Sequence, residues 1–592
     1  MIESNYSFSP QRYQETLTSL IAALDTLEGW DKARYETILR RYPKDGRGFF
    51  SKAQILSGFR HLNRTLGWKR DEQAFADKIR MKPIRTLSGV APVTVLTKPF
   101  PCPGRCIFCP SDVRMPKSYL SDEPGAQRAA QHQFDPYRQT FSRLRALHNI
   151  GHRTDKVEMI LLGGTWSYYP EGYQIWFVKR CFDALNDFAA WRRGDEVAWP
   201  AMPAIDFRQI DGNVDGRNID HTYNEIVGRY ARDHEDPEDS QVASWSELEA
   251  VQRVNELAEA RCVGLVVETR PDHLDLAEVI RIRRLGATKV QIGFQSLSDR
   301  VLELNQRGHD VAATRRAVGL LRAAGFKLHA HWMPNLYGSS PAADLEDFER
   351  IFSDPGLKPD ELKIYPCSLI ASAELMRRYE DGSWKPYTHD ELLEVVTSCL
   401  HRTPEYCRLT RVIRDIPGTD IVDGNKLTNF RELAARALGE RGLTGRDIRA
   451  REVRESKVSR EDLELTRSEY QTSLGTETFL QFVTPDDRLA AFLRLSLPDR
   501  PVEMAEIRDS AMIREVHVYG RLVEIGQRAS GRSQHLGLGR KLIETAGEIA
   551  SSHGYENLAV ISSVGTRQYY RGLGFVDGPL YQHLSLPARA AE

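Results

Sequence analysis

The stretch from Pro92 to Pro110, "PVTVLTKPFPCPGRCIFCP", joins a short apolar run to a loop that carries Cys102, Cys106 and Cys109. The run is rich in β-branched residues and stops at a proline-punctuated segment, which reads as a strand feeding a loop. Similar runs follow downstream: "KVEMILLGGTW" (156–166), "CVGLVVETRPD" (262–272), "KVQIGFQS" (289–296), "KLHAHWMPN" (327–335) and "ELKIYP" (361–366). Helix-like segments alternate with them, so the pattern predicts an α/β fold with a parallel sheet, open or closed into a barrel.

In such sheets chemistry gathers where the C-terminal ends of the strands meet their loops. Gly163, Gly164 and Thr165, then Glu268, Thr269 and Arg270, then Gln295 and His331 all follow apolar runs and would share that face. The CxxxCxxC spacing offers three thiolates on one loop, which suits an iron–sulfur cluster or zinc. Structural zinc wants four closed ligands, and no fourth cysteine or adjacent histidine stands nearby. A cubane cluster held by three thiolates would keep one iron open. Glu268 is a candidate for ribose hydroxyls, a helix cap or an ion pair with Arg270. Gln291 and Gln295 alternate with apolar neighbours and either point into a barrel or are satisfied buried amides; His329 and His331 share a strand face as ligands or, more commonly, core residues; Lys289 approaches the cluster or its cofactor or is a surface lysine.

The chain has 592 residues, hence several domains, and a net charge of −1. Its eight cysteines are sparse, unlike a secreted disulfide framework, and no apolar run approaches the roughly 20 residues of a membrane span. The start, "MIESNYSFSPQRYQ", lacks the basic and apolar segments of a signal peptide, so a cytoplasmic location is expected. Residues 1–80 read as a small basic helical domain. Residues 31–85 hold fifteen Lys and Arg against six acids, and a second basic stretch runs from Arg402 to Arg454. Either is a solvated face or a nucleic-acid contact. The barrel is expected over 81–400 with an insertion near 190–250, a basic linker over 401–460, and a last domain over 461–592. Residues 455–475 read as a connector into that domain.

The last domain sets the strands "TETFLQFV", "AAFLRLSL" and "AMIREVHVYG" before the turn Gln534-His535-Leu536-Gly537-Leu538-Gly539. That turn opens an amphipathic helix, whose free N–H groups and dipole suit a pyrophosphate. "NLAVISS" and "TRQYYRGLGF" complete the order.

Two resemblances follow from these residues. The three-cysteine loop with "LLGGTW" resembles radical S-adenosylmethionine (SAM) enzymes, whose cofactor occupies the open iron and whose GGE-type motif receives the methionine amino group. The later layout resembles GCN5-related (GNAT) N-acetyltransferases. Together with "GATKVQIGFQSLSDRVLELNQRGHD", "RDIPGTDIVDGN" and "AVISSVGTRQYYRGLGF", the chain is identified as a member of the family of Elongator catalytic subunits in its stand-alone prokaryotic form. The resemblance covers residues 80 to 585 and implies a radical SAM partial (β/α) barrel followed by a GNAT-type domain.

The implied activity is carboxymethylation of carbon 5 of the wobble uridine in tRNA, with acetyl-CoA as co-substrate and an electron donor for the cluster. Cys102, Cys106 and Cys109 would hold a 4Fe–4S cluster. Gly163, Gly164, Thr165, Glu268, Lys289 and Gln295 would serve SAM, and Lys156 would contact acetyl-CoA from the barrel. On the other side the implied contacts are Glu515, Val516, His517, Val518, Gln534, Gly537, Leu538, Gly539, Arg540 and Tyr570. Tyr569 or Tyr570 would lie near the thioester, with Glu515 as general base. The anticodon stem-loop of tRNA would meet the basic regions, and a homodimer is left open. Family members often carry a zinc-binding cysteine where Gly445 stands, so zinc is doubtful; Cys367 replaces a common threonine. Rival readings are a protein lysine acetyltransferase with a structural iron–sulfur domain, a non-enzymatic tRNA scaffold, and a radical enzyme for a small substrate such as a porphyrinogen.

Overall fold

Seven parallel strands, neighbours in chain order, build the sheet that carries the cysteine loop. The computed structural model describes residues 8–28, 31–79, 89–203, 206–210, 222–233, 241–454, 458–519 and 537–587; Gln534 lies outside them. The strands are β1 (Ala91–Leu96), β2 (Lys156–Leu162), β3 (Arg261–Thr269), β4 (Lys289–Gln295), β5 (Lys327–Trp332) and β6 (Glu361–Ile364); the short β7 (Leu369–Ile370) leaves the sheet, and β8 (Arg408–Arg411) ends it. β7 pairs instead with β9 (Ile421–Asp423). The barrel sheet thus runs past the boundary expected at 400: β8 is too short and too basic to stand out as an apolar run.

The pleat sorts side chains by period two. In β4, Val290, Ile292 and Phe294 are fully buried in the main hydrophobic core. Lys289 and Gln291 point the other way. Lys289 Nζ lies 2.7 Å from Glu158 of β2 and 3.1 Å from Glu361 of β6, strands two places away on either side. Only a curled sheet brings such strands together, so these polar residues line the concave side of a partial barrel.

The second sheet runs β10 (Glu464–Gln471), β11 (Gly475–Val483), β12 (Leu489–Pro498), β13 (Ala511–Val518), β14 (Asn557–Val560), β16 (Gln582–Ser585) and β15 (Val576–Asp577). β10 occupies sequence expected as a connector. It is an edge strand whose outward positions carry Glu464, Arg467, Glu469 and Gln471, so its alternation is polar rather than apolar. β13 and β14 are parallel and pair only at Ala511–Ile513 with Leu558–Val560. The helix Leu538–Ser552 buries Leu542, Ile543, Ala546 and Ile549 at helical spacing.

At the N-terminus, helices Gln14–Asp25, Lys32–Arg41, Lys52–Thr65 and Glu72–Ile79 enclose their own core of Leu17, Leu20, Ile21, Leu24, Ile55, Phe59 and Phe75. Several cations of the basic run are structural. Lys78 pairs with Asp25 and Arg60 with Glu72, while Lys52 donates to Ile79 O, and burial pulls its amine down to about 8. Lys32, Arg34 and Arg40 stay outward, with side chains 71–76% exposed.

The two sheets meet through buried charge. Asp360, just before β6, receives Arg514 and Arg494, and Arg514 Nη1 reaches Glu477 Oε2 at 2.9 Å. Ser563 Oγ donates to Cys262 O and Tyr581 Oη to Ala324 O, both at 2.8 Å.

Candidate functional site

Cys102, Cys106 and Cys109 follow β1, at the C-terminal rim of the barrel, and edge one cavity with Gly163, Gly164, Thr165, Glu268, Gln295 and His331. Proline and glycine in "PCPGRC" exclude regular structure, so outside contacts fix the loop. Asn224 does so reciprocally: its Oδ1 accepts from Cys102 N and its Nδ2 donates to Cys102 O, both at 2.8 Å. Asn224 belongs to helix Tyr223–Asp233, in the segment expected as an insertion, and Tyr223 Oη donates to Met115 O nearby. Sequence reasoning missed this role, because an asparagine 122 residues away carries no local signal.

The surroundings of the three thiols differ. Arg307 Nη1 lies 3.4 Å and Arg270 Nη1 3.8 Å from Cys106 Sγ. The Cys109 thiol and the charges of Arg307 and Arg270 hold Cys106 well below the usual thiol range, and Cys109 is pushed up in turn. Cys102 Sγ sits 3.8 Å from Thr165 Oγ1. Among the described residues, no three His, Cys, Asp or Glu side chains converge closely enough to hold one metal ion. The thiols border a shared cavity instead, a donor set suited to a multi-iron cluster with thiolate ligands.

Gly163 directly follows β2 with φ +153°, and a Cβ there would fall 1.8 Å from Thr97 Oγ1. Gln295 ends β4 in the left-handed region at φ 64°, with its buried Oε1 unpartnered among the described residues. Burial raises the Glu268 carboxyl, against the pull of Lys363, Arg414 and Arg307, and His331 Nδ1 stands 3.7 Å from it. Gln291 Oε1 accepts from His331 Nε2 at 2.9 Å and from Lys363. Burial holds both His329 and His331 well below the usual imidazole range, hence neutral.

Lys289, expected near the cofactor, stands at the opposite rim as the first residue of β4. Strand rise puts it about 20 Å from the cysteine end. Lys156 is at that same rim, opposite Arg261 in register, where Arg261 Cβ abuts Gly565 in the turn that follows β14 of the second sheet. The second sheet therefore closes the N-terminal rim of the barrel.

There β13 offers an open edge among the described residues: its pairing with β14 ends at Ile513, and no described strand pairs with the backbone of Glu515, Val516, His517 and Val518 on that side. Gly537, at φ 74°, caps the helix that starts with Leu538, Gly539 and Arg540. A Cβ on Gly539 would lie 3.0 Å from Tyr569 Oη and 3.8 Å from Val518, so these residues share one crevice. Tyr569 is 47% exposed beside it, whereas Tyr570 is 7% exposed and stacks edge-on with Phe575. His517 is neutral, pulled down to about 3 by burial, with Nε2 unpartnered among the described residues. Glu515 was expected as a general base. Its Oε1 is held by Lys327 at 2.5 Å and its Oε2 by Arg494 at 2.9 Å, and these charges overcome burial to depress the carboxyl. A carboxylate so held is a weak proton acceptor and serves as a fastening.

Residues 359–439 match the family described as Radical_SAM C-terminal domain. The chain is 36% identical over 564 residues to a tRNA uridine(34) acetyltransferase of Methanocaldococcus jannaschii, covering 92% of each chain. It is 34% identical to Elongator complex protein 3 of Homo sapiens, covering 85% of both. Among solved structures, the archaeal Methanocaldococcus infernus Elp3 with an N-terminal deletion superposes with a TM-score of 0.66 at 33% identity, covering 85% of this chain and all of that one.

Proposed function

The chain belongs to the family of tRNA uridine(34) acetyltransferases and Elongator complex protein 3, and we infer from this that it is a radical SAM enzyme modifying the wobble uridine of tRNA. The finer reading is that acetyl-CoA is the co-substrate and 5-carboxymethyluridine the product. One observation carries it: a three-thiol cavity lies at one rim of the barrel, and a crevice of acyl-CoA type lies in a second sheet that the buried Asp360–Arg514 pair fastens to the other rim.

When bound, the cluster on Cys102, Cys106 and Cys109 together with SAM supplies a 5′-deoxyadenosyl radical. Gly163, Gly164 and Thr165 would receive the methionine end and Glu268 the ribose. The free edge at Glu515–Val518 suits the peptide-like amides of a pantetheine arm, which would extend the sheet by strand addition. The start of helix Leu538–Ser552 suits its pyrophosphate. Lys32, Arg34 and Arg40 support tRNA phosphate contacts, which are salt-dependent.

The test is anaerobic reconstitution with reductant, SAM, acetyl-CoA and tRNA bearing a wobble uridine, read by nucleoside mass spectrometry. Carboxymethyluridine is expected. Its absence with intact cluster overturns the reading, and acetyl transfer to protein without SAM would favour the lysine acetyltransferase instead. Cys106→Ser is expected to abolish 5′-deoxyadenosine formation while acetyl-CoA binding persists.

A further inference from the structure

One thiol of the three is treated unlike the others. Two guanidinium groups aim at Cys106 Sγ, a single hydroxyl stands at Cys102, and no arginine donates to Cys109 among the described residues. Both arginines are nearly closed off from solvent, at 4% for Arg270 and 6% for Arg307. Their placement is over-determined. Arg270 donates Nε and Nη2 to Asp272 at 2.9 and 2.7 Å, and Nη2 also donates to Arg307 O at 2.6 Å. Arg307 donates Nη2 to Gly293 O at 3.2 Å. The loop itself makes room: a Cβ on Gly104 would fall 2.1 Å from Arg270 Nη1, so any other residue there would push the guanidinium off the sulfur.

We propose that Arg270 and Arg307 set the reduction potential of the iron–sulfur cluster by donating to the thiolate of Cys106, with Gly104 keeping the approach open. The proposal rests on the cluster assignment made under the proposed function. Donors to a ligand sulfur, and positive charge near it, stabilise the reduced cluster, which carries one more negative charge; net charge and hydrogen bonds to sulfur are recognised determinants of cluster potential. Burial strengthens the effect, because little solvent screens it. The step concerned is entry of one electron from a low-potential one-electron reductant into the oxidised cluster, with no bond made or broken in the protein. Asp272 opposes the clamp by neutralising part of the Arg270 charge. Arg270 and Arg307 are thus positioning residues for electron entry, acting through Cys106.

The test is a dye-mediated potentiometric titration of reconstituted full-length protein, read by the electron paramagnetic resonance signal of the reduced cluster, with iron and sulfide content as the measure of cluster loading. Arg270→Gln and Arg307→Gln are each expected to lower the reduced-to-oxidised ratio at fixed potential about tenfold, a drop of about 59 mV for one electron. Arg270→Lys, which keeps the charge but loses the fork, is expected to fall between. Asp272→Asn is expected to move the midpoint upward, a direction that a purely structural role for the ion pair would not produce. Fully loaded variants with the wild-type midpoint overturn the proposal alone. If the glutamine variants lose the cluster, Arg270→Lys and Asp272→Asn decide it by the same criterion. Wild-type protein that takes up no iron–sulfur cluster overturns this proposal together with the proposed function.

Discussion

Lys327 Nζ, on the first residue of β5, lies 2.5 Å from Glu515 Oε1 on β13, and so one lysine joins the barrel to the open-edged strand of the second sheet. Its ammonium also lies 2.7 Å from Glu361, and Glu515 is shared with Arg494. Breaking one member of a buried charge network leaves an unpaired charge, which typically costs about 3–5 kcal/mol. Lys327→Met is expected to destabilise the protein by roughly 3 kcal/mol, measured by urea unfolding. A loss below about 1 kcal/mol would mean that the network behaves like an exposed pair.

Asp360 gives the same interface a pH signature. Burial would raise its carboxyl, yet Arg514, Arg494 and Arg322 override that and hold it at about 2. An unfolded aspartate titrates near ~3.9, so the folded value is depressed. The contribution is complete above the unfolded value and disappears as pH falls through about 2. It amounts to roughly 2–3 kcal/mol at neutral pH. Asp360→Asn is expected to be markedly less stable than wild type at pH 7, with the gap narrowing below about pH 4. A gap that is constant across this range would contradict the ion-pair account.

Asn224 makes a prediction about the insertion. Its two hydrogen bonds to the Cys102 backbone tie a loop with no regular structure, and each is worth about 1 kcal/mol. Asn224→Ala leaves every thiol in place but frees the loop. Reconstituted protein is expected to lose iron to a chelator several-fold faster than wild type, with acetyl-CoA affinity unchanged. Equal chelation rates would show that the loop is held by its other contacts.

The sequence was informative where a residue's role is set by its neighbours in the chain. The six strands read from apolar runs lie in the first sheet, and the spacing of Cys102, Cys106 and Cys109 brings them to one cavity. The alternation in "KVQIGFQ" likewise puts Lys289 and Gln291 on the concave side and Val290 and Ile292 in the core. Roles set by distant partners were not legible. Lys289 reads as a cofactor contact until its strand register places it at the far rim, and Glu515 reads as a base until Lys327, 188 residues away, is seen beside it. β10 and β8 were missed because charged edge strands lack the apolar signal on which strand reading depends.

Tyr569 and Tyr570 are consecutive in sequence and opposite in environment, and this separates a packing role from a binding role. Tyr570 is buried against Phe575, so Tyr570→Ala is expected to cost about 3 kcal/mol of stability as a large-to-small core change. Tyr569 is half-exposed with its hydroxyl at the Gly539 crevice, so Tyr569→Ala is expected to shift stability by less than about 0.5 kcal/mol. Its effect should fall on the ligand instead, with coenzyme A affinity dropping about tenfold, equivalent to 1.4 kcal/mol. Unfolding curves and calorimetric titration with coenzyme A read the two quantities independently. Should Tyr569→Ala leave the affinity intact while Tyr570→Phe weakens it, the contact belongs to the Tyr570 hydroxyl, as the family resemblance implies, and the exposed ring is only part of the crevice wall.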